Sequence, residues 1–182
     1  VIFDKTGTLT EGKLALSGVK VLDESYSEED ILRIASSLEA ESSHPIAQAI
    51  VNYANDNNII FDAIDEFKNV PGKGIVANIG GEQFYAANES LIEGSSFDIS
   101  RDEINRYSSE GKTIVFVGNA RNVIGLITVS DIIRPNASEV IADLKDNGIE
   151  TIMLTGDNKM AAHKVAEEIG IQHVFSNLLP ED

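Results

Sequence analysis

The sequence contains no cysteine, and this absence excludes disulfide bonds, cysteine-ligated metal sites and a thiol nucleophile. Its three histidines are scattered along the chain, which is too few for a convincing histidine metal site. No apolar stretch approaches the roughly 20 residues that a helix needs to cross a bilayer, and no secretory signal peptide is visible. The 182 residues are 42% hydrophobic, which is ample for the cores of one large or two small domains.

Basic residues are also scarce. Fourteen lysines and arginines accompany 30 acidic residues, which gives a net charge of -16 and a pI near 4.4. A surface of this charge repels nucleic acid and anionic membranes, so neither is expected as a partner. It also opposes an anionic substrate, and a site for one would need Mg²⁺, backbone amides and a few lysines.

The most informative segment is the N-terminus, where three apolar residues lead directly into the run Asp4-Lys5-Thr6-Gly7-Thr8-Leu9-Thr10. This order predicts a short buried strand that delivers the Asp4 carboxylate into a loop at the carboxyl end of a sheet, where open α/β folds bind ligands. Backbone amides near Gly7 can face a phosphate there. The alternative is an acidic N-terminal turn, but seven specified residues in a row favour a nucleophile.

Three other segments have the composition of ligand-binding turns, and each has a structural alternative. His44 precedes Pro45 at the junction of two predicted helices, where it can face a ligand or simply cap a helix. The segment Val70 to Ile75 contains two glycines around a lysine, which allow close approach of a base or phosphate but also form ordinary turns. The segment Met153 to Asn158 ends a strand and opens a helix, a geometry that can bind an anion or only cap the helix.

The Asp4 run resembles the phosphorylation motif of the P-type ATPases, in which the aspartate takes the γ-phosphate of ATP as a covalent intermediate. Asp4 is the matching residue. Related phosphatases of the haloacid dehalogenase superfamily place a second Asp two residues later as general acid and base, which a Thr6 hydroxyl cannot be near neutral pH. The resemblance therefore implies an aspartyl phosphate that resists hydrolysis, which favours a pump over a phosphatase.

Segments in the first half of the chain resemble nucleotide-binding signatures of the heavy-metal-transporting P-type ATPases. The run around His44 is similar to their Ser-Glu-His-Pro signature, with Ser43 in place of the commonest Glu. The resemblance implies that His44 orients the adenine and that Glu39 contacts the nucleotide. It also implies nucleotide contacts for three further residues, Gly72, Gly74 and Asn88. Asn88 follows Ala87, where the family has Gly.

The turn after Leu154 resembles the Thr-Gly-Asp motif of the same family. The resemblance implies that Thr155 binds the transferring phosphoryl group, supported by Gly156 and Asp157. Asp131 matches a family aspartate with a hinge or nucleotide-positioning role. The implied catalytic set is therefore Asp4, Lys5, Thr6, Thr155, Gly156 and Asp157, and the implied Mg²⁺ ligands are the Asp4 carboxylate and the Thr6 carbonyl.

The periodicity of the chain predicts both helical and extended segments. Ser27 with Asp30 predicts a helix start, and a second helix is predicted from Pro45. Gly18 to Ser27 is predicted as a short extended segment, and Gly80-Gly81 predicts a hairpin. Beyond Asp131 the pattern predicts βα units. The economical architecture is an incomplete α/β, haloacid dehalogenase-like Rossmann-type phosphorylation domain at 1–13 and 129–182, interrupted by an antiparallel α+β nucleotide-binding domain at 14–128.

The implied protein is the ATP-binding and phosphorylation headpiece of a heavy-metal cation pump, on the cytoplasmic side of a membrane, with copper slightly preferred over zinc. ATP and Mg²⁺ are the implied cofactors, the membrane and actuator domains of the same pump are the implied partners, and the fragment is expected to be monomeric. A soluble haloacid dehalogenase-type phosphatase and a non-catalytic nucleotide-sensing module, in which Asp4 is structural, remain open as alternatives.

The ends of the sequence predict a piece of a longer chain. It starts with Val1 and not Met, and it stops at Leu178-Leu179-Pro180-Glu181-Asp182. The family continues there into a lysine that neutralises phosphate charge and then into a Gly-Asp-Gly-x-Asn-Asp segment that completes the Mg²⁺ site. We therefore expect the fragment to bind adenine nucleotide but to phosphorylate itself poorly or not at all.

Overall fold

The computed structural model describes residues 1–92 and 100–178, which form short alternating strands and helices. The strands are β1 (Ile2–Asp4), β2 (Thr10–Val21), β3 (Ile64–Val70), β4 (Gly74–Ile79), β5 (Glu82–Ala87), β6 (Thr113–Asn119), β7 (Val123–Ile133), β8 (Ile152–Leu154) and β9 (His173–Phe175). The helices are α1 (Glu28–Glu39), α2 (Pro45–Asp56), α3 (Glu89–Ile92), α4 (Arg101–Ser109), α5 (Ala137–Asp146) and α6 (Lys159–Ile169). None of these helices combines the length and the apolar character that crossing a membrane requires.

The chain divides into two compact units. The first comprises Val1–Lys13, Asn105–Lys112 and the residues from Asp131 onward, and the second comprises Leu14–Ile104 and Thr113–Ser130. This division differs from the predicted boundaries chiefly in the segment 105–112, which clusters with the first unit. The assignment of a phosphorylation domain and a nucleotide-binding domain to the predicted ranges stays a prediction. Of the C-terminal run singled out above, Leu179 to Asp182 lie outside the described residues.

The first unit contains a parallel three-stranded sheet in the order β1-β8-β9. Asp4 lies opposite Leu154, which lies opposite Phe175, so the three strands end at the same edge. Helix α6 begins at the N-cap Asn158, whose side chain accepts a hydrogen bond from the Ala161 N–H, and ends at Gly170 in the left-handed conformation. The predicted βα units are therefore present. Their core is formed by Leu9, Ala137, Ile141, Met153, Ala162, Ala166, Ile169 and Ile171.

The six-stranded sheet of the second unit has the order β2-β7-β6-β5-β4-β3, and its described pairs from β3 to β7 are antiparallel. The predicted hairpin joins β4 to β5, and Gly80 and Gly81 both have the positive φ that a tight two-residue turn requires. Helix α1 packs against the sheet, and its residues Ile31, Ala35 and Leu38 are fully buried in the main core.

Two local predictions have opposite outcomes. The predicted helix start is confirmed, because the Ser27 hydroxyl accepts from the Asp30 N–H at 3.2 Å and the Asp30 carboxylate accepts from the Ser27 N–H at 2.9 Å. The Ser27 hydroxyl also donates to the Asp30 carboxylate at 2.7 Å, and this bond, with the Ser27 N–H and the neighbouring Arg33, lowers the pKa of Asp30 to about 2. The prediction of a short extended segment from Gly18 to Ser27 is wrong in its bounds, because β2 begins at Thr10 and ends at Val21, and a turn follows it. Its small and polar residues had hidden the strand from the hydrophobic pattern.

Candidate functional site

Asp4 ends β1 and leads into an irregular helical turn at Lys5–Leu9. Its carboxylate is exposed and makes no hydrogen bond or ion pair with any residue in the described ranges. Gly7 has a φ of 78°, which lets the turn reverse direction without steric strain. A carboxylate that no protein donor occupies keeps both oxygens available for nucleophilic attack or for a metal ion.

Thr155 follows directly on β8, the strand that pairs with β1. Because Asp4 lies opposite Leu154, Asp4 and Thr155 leave neighbouring strands at the same edge of the sheet. Thr155 is buried, its N–H donates to the Phe175 carbonyl at 3.0 Å, and its hydroxyl oxygen accepts from the Asp157 N–H at 3.1 Å. Its hydroxyl hydrogen is donated to none of the described residues. It therefore remains available to an incoming oxygen anion.

An ion pair joins the two predicted catalytic motifs. The ammonium of Lys5 pairs with the carboxylate of Asp157, and these side chains are 11% and 35% exposed. Gly156 lies between Thr155 and Asp157, where an added Cβ would come within 3.2 Å of the Leu178 carbonyl oxygen. The ion pair thus brings the motifs of residues 4–10 and 155–157 together, and a catalytic role for Lys5 stays a prediction.

Asp131 belongs to the first unit, where it lies against the turn after Asp4, whereas the other predicted nucleotide contacts belong to the second unit. The Thr10 hydroxyl donates to Asp131 Oδ2 at 2.6 Å, and the same hydroxyl oxygen accepts from the Gly7 N–H at 3.3 Å. Asp131 Oδ1 is buried and has no partner among the described residues. This geometry gives Asp131 a role in shaping the turn.

Arg134 is a residue that the sequence analysis missed. Its guanidinium donates to the carbonyls of Thr8 at 2.9 Å and Gly7 at 3.0 Å, and its N–H donates to the Leu9 carbonyl at 2.9 Å. These three bonds fix the turn that carries Asp4. The only available signal was an arginine three residues after Asp131. Sequence alone does not distinguish an arginine that binds backbone carbonyls from one that is simply exposed to solvent.

A cavity of about 500 Å³ lies in the second unit, within the range of about 300–1,000 Å³ that small-molecule sites occupy. Its lining includes the apolar residues Ile46, Ile75, Ala86 and Val115, which offer flat walls to an aromatic ring. Asp131 is not among the lining residues. The other five predicted nucleotide contacts are, namely Glu39, His44, Gly72, Gly74 and Asn88. The structure therefore gathers onto one surface residues that are up to 49 positions apart in the sequence.

Glu39 is the buried acid of this cavity. It is the last residue of α1, it is only 8% exposed, and no cation pairs with it among the described residues. Burial raises the pKa of Glu39 to about 7, and a hydrogen bond from the Ser42 side chain opposes this increase. A carboxyl in this state can donate or accept a hydrogen bond near neutral pH, which suits a heterocyclic base.

His44 both caps helix α2 and lines the cavity. Its Nδ1 accepts a hydrogen bond from the Ile46 N–H at 3.3 Å, and Pro45 occupies the first helical position. In its neutral form the ring therefore carries its proton on Nε2, the nitrogen that the helix does not use. The two interpretations offered by the sequence, a capping residue and a ligand-facing residue, are compatible.

The glycine turn beside the cavity is held by Asn88. The Asn88 side-chain amide donates to the Gly72 carbonyl at 2.8 Å, and its N–H donates to the Lys73 carbonyl at 2.8 Å. Gly74 has a φ of 145°, and a Cβ there would lie 2.4 Å from the Ala86 carbonyl oxygen. Only glycine fits at that position, whereas Gly72 has a φ of 70° and open space around it.

We predict that Glu39→Gln changes how the stability of the chain depends on pH. In the folded chain the Glu39 pKa is about 7, against an ordinary value of 4.5, so between these values the folded state holds more protons than the unfolded state. The contribution of Glu39 to stability should therefore be fully present below pH 4.5, and the parent should lose about 2 to 3 kcal/mol relative to Glu39→Gln as pH rises from 4.5 through 7. Denaturant unfolding across this pH range measures the difference.

Glu41→Gln is the matched control, because Glu41 is exposed in the turn that follows α1. It should leave the pH dependence of unfolding unchanged. Parallel profiles for the parent and Glu39→Gln would show that Glu39 is not a buried, unpaired carboxyl.

A second prediction concerns the ion pair between the motifs. Lys5→Met should lower the free energy of unfolding by about 1 to 3 kcal/mol, because Asp157 would lose its partner in a partly buried position. The double mutant Lys5→Met, Asp157→Asn should recover about 1 kcal/mol relative to the sum of the single changes. Lys159→Met, at an exposed lysine in the same unit, is the control. Additive single changes would contradict the predicted coupling.

The whole chain is similar to known metal-transporting P-type ATPases, in sequence and in structure. Copper-exporting P-type ATPase B of Enterococcus hirae is 37% identical over 182 residues, which is 100% of this chain and 24% of that protein. A zinc-transporting PIB-type ATPase, in a crystal structure of its E2.Pi state, matches with a TM-score of 0.88 and 34% identity over 100% of this chain and 29% of that chain. The N-domain of HMA8, a copper-transporting P-type ATPase, matches with a TM-score of 0.52 and 30% identity over 62% of this chain and 97% of that chain.

These similarities confirm the predicted resemblance to heavy-metal-transporting P-type ATPases. They also confirm the predicted α/β fold with its antiparallel insertion. The chain spans about a quarter of the length of the curated relatives that it matches. A family model described as haloacid dehalogenase-like hydrolase matches residues 1–181, and the chain therefore belongs to the haloacid dehalogenase-like hydrolase family.

Proposed function

We propose that this chain is the ATP-binding and phosphorylation headpiece of a heavy-metal cation-transporting P-type ATPase, on the cytoplasmic side of a membrane. The observation that carries the proposal is the edge of the parallel sheet where Asp4 and Thr155 leave paired strands. The ion pair between Lys5 and Asp157 holds the two turns together there. The membrane and actuator domains of the same pump would be its partners.

In the proposed reaction, a carboxylate oxygen of Asp4 attacks the γ-phosphorus of ATP. The new bond joins Asp4 to the phosphoryl group, the bond to the bridging oxygen breaks, and ADP leaves with that electron pair. The Thr155 hydroxyl, whose hydrogen has no acceptor among the described residues, donates to an oxygen of the phosphoryl group. The protein contributes mainly position and charge, as in other phosphoryl transfers.

The residues present suit Mg²⁺ as the accompanying ion. The Asp4 carboxylate is exposed and unpartnered, and Mg²⁺ prefers hard oxygen ligands while keeping several waters. Asp4 and the Thr6 carbonyl would hold the ion, which would neutralise phosphate charge when bound. In the described ranges no group of three or more histidine and acidic side chains is arranged to hold a metal, so this pair would be only part of the ligand set.

Thr6 distinguishes the proposed pump from a phosphatase of the same family. A haloacid dehalogenase-type phosphatase needs a general base near its nucleophile to activate water against the aspartyl phosphate. Thr6 stands two residues after Asp4, where its hydroxyl cannot accept a proton near neutral pH. An aspartyl phosphate at Asp4 would therefore persist long enough to be coupled to ion transport.

Copper is the proposed cargo, in slight preference to zinc. The first relatives in sequence are copper-exporting or copper-transporting ATPases, and a close structural match is a zinc-transporting one. The proposed role of the chain is to bind ATP and accept its phosphoryl group, so its described residues are not proposed to contact the metal cargo.

The cavity in the second unit is the proposed adenine site. We predict that the chain binds ATP in preference to GTP and that His44→Gln weakens ATP binding several-fold, because the ring lines the cavity with Nε2 free of the helix. Calorimetric titration measures both. His163→Gln, at an exposed histidine of α6, is the control and should bind as the parent does. Binding that is indifferent to the base and to His44 would exclude this cavity as the adenine site.

A separate prediction tests the nucleophile. In a full-length pump that carries this sequence, labelling with γ-phosphate-labelled ATP should give a hydroxylamine-labile phosphoprotein, and Asp4→Asn should abolish it. Asp143→Asn, at an exposed acid of α5, should be labelled like the parent. Full function with Asp4→Asn would instead favour a nucleotide-sensing module in which Asp4 is structural.

A further inference from the structure

Lys73 is the only lysine or arginine among the described residues that line the cavity of the second unit. Of these described lining residues only Glu39 carries a carboxylate, and it is buried, whereas Lys73 is exposed. Burial raises the pKa of Glu39 to about 7, so this acid is only partly charged near neutral pH. The described part of the lining therefore carries a formal charge between zero and +1, in a chain whose net charge is -16.

The backbone of Lys73 is fixed from two sides. Its N–H donates to the Val70 carbonyl at 2.9 Å, and its carbonyl accepts from the Asn88 N–H at 2.8 Å. Gly72 and Gly74 flank it in positive-φ conformations, so no neighbouring side chain crowds it. The turn thus holds the Cα of Lys73 in place at the cavity and leaves the side chain free to reach a ligand.

The Lys73 ammonium is also uncommitted. It has no ion-pair partner among the described residues, although the chain contains 30 acidic residues. Lys5 of the first unit, by contrast, is engaged in an ion pair with Asp157. An unpaired lysine held beside a cavity is a ready partner for an anion, and it gives up no existing ion pair when it binds one.

We propose that Lys73 binds the phosphate chain of the nucleotide and is the residue that makes this cavity prefer adenosine di- and triphosphate over adenosine. The inference rests on the proposed function, because it takes the cavity to be the adenine site. It adds a positively charged contact for the phosphates, which neither the glycines of the turn nor His44 is proposed to supply. In the bound state the base faces the buried Glu39 and the phosphates extend to the exposed Lys73.

The contact has a physical signature that a structural lysine lacks. A point charge at the exposed mouth of the cavity interacts with phosphate and not with an uncharged nucleoside, and salt screens that interaction. Lys73 should therefore affect affinity in proportion to the charge of the ligand. The acidic surface of the chain makes the effect easier to see, because it opposes anion binding everywhere else.

The test is calorimetric titration of the 182-residue chain with adenosine, ADP and ATP at fixed Mg²⁺. Lys73→Met should weaken ATP and ADP binding about three- to tenfold and leave adenosine within about twofold of the parent. Lys73→Arg should bind ATP much as the parent does. Lys68→Met removes the same charge from an exposed position on β3 outside the cavity lining, and it should change none of the three affinities.

The outcomes separate this inference from the proposal on which it rests. If Lys73→Met weakens adenosine as much as ATP, or leaves ATP unchanged, Lys73 is not a phosphate contact, although the cavity remains an adenine site. If Lys68→Met acts like Lys73→Met, the effect is one of overall charge and the inference is overturned. If the parent binds neither ATP nor adenosine, the proposed function fails and this inference fails with it.

Discussion

The parallel pairing of β1 with β8 is the interaction on which the rest of the chemistry depends. It joins residues that are about 150 positions apart and sets Asp4 opposite Leu154, so that a carboxylate and the Thr155 hydroxyl emerge at one edge. Each strand has only three residues, and a pair this short has little stability of its own. The ion pair between Lys5 and Asp157 and the buried cluster around Met153 supply what the short ladder lacks.

Charge is the second constraint. In a chain this acidic, each basic side chain near a functional segment has a definite effect on its surroundings. Lys5 neutralises Asp157, and Arg134 binds the carbonyl oxygens of the turn after Asp4. The cavity of the second unit, in contrast, keeps Glu39 only partly charged near neutral pH by burying it. The acidic excess of the chain is thus offset locally, by the ion pair of Lys5 in the first unit and by the burial of Glu39 in the second.

The sequence predicted the motifs and the elements that carry them, because short runs such as the one after Asp4 combine an apolar strand with a definite turn chemistry. It also predicted five residues that the fold brings to one cavity. It misplaced β2, of which it predicted only the last part, from Gly18 onward, as extended. It did not predict Arg134 or the burial of Glu39, because these depend on which distant backbone groups and side chains the fold brings close.

The order of the six-stranded sheet has a consequence for the modularity of the chain. The strand that enters the second unit, β2, and the strand that leaves it, β7, are immediate neighbours in that sheet. The hydrogen bond from Thr10 to Asp131 joins the outgoing and returning chain where they meet the first unit, across 121 positions of sequence. Ends held this close can be bridged by a short loop at little entropic cost. A homologous segment of different length could therefore replace the residues between these ends, provided that it keeps the part at 105–112 that clusters with the first unit.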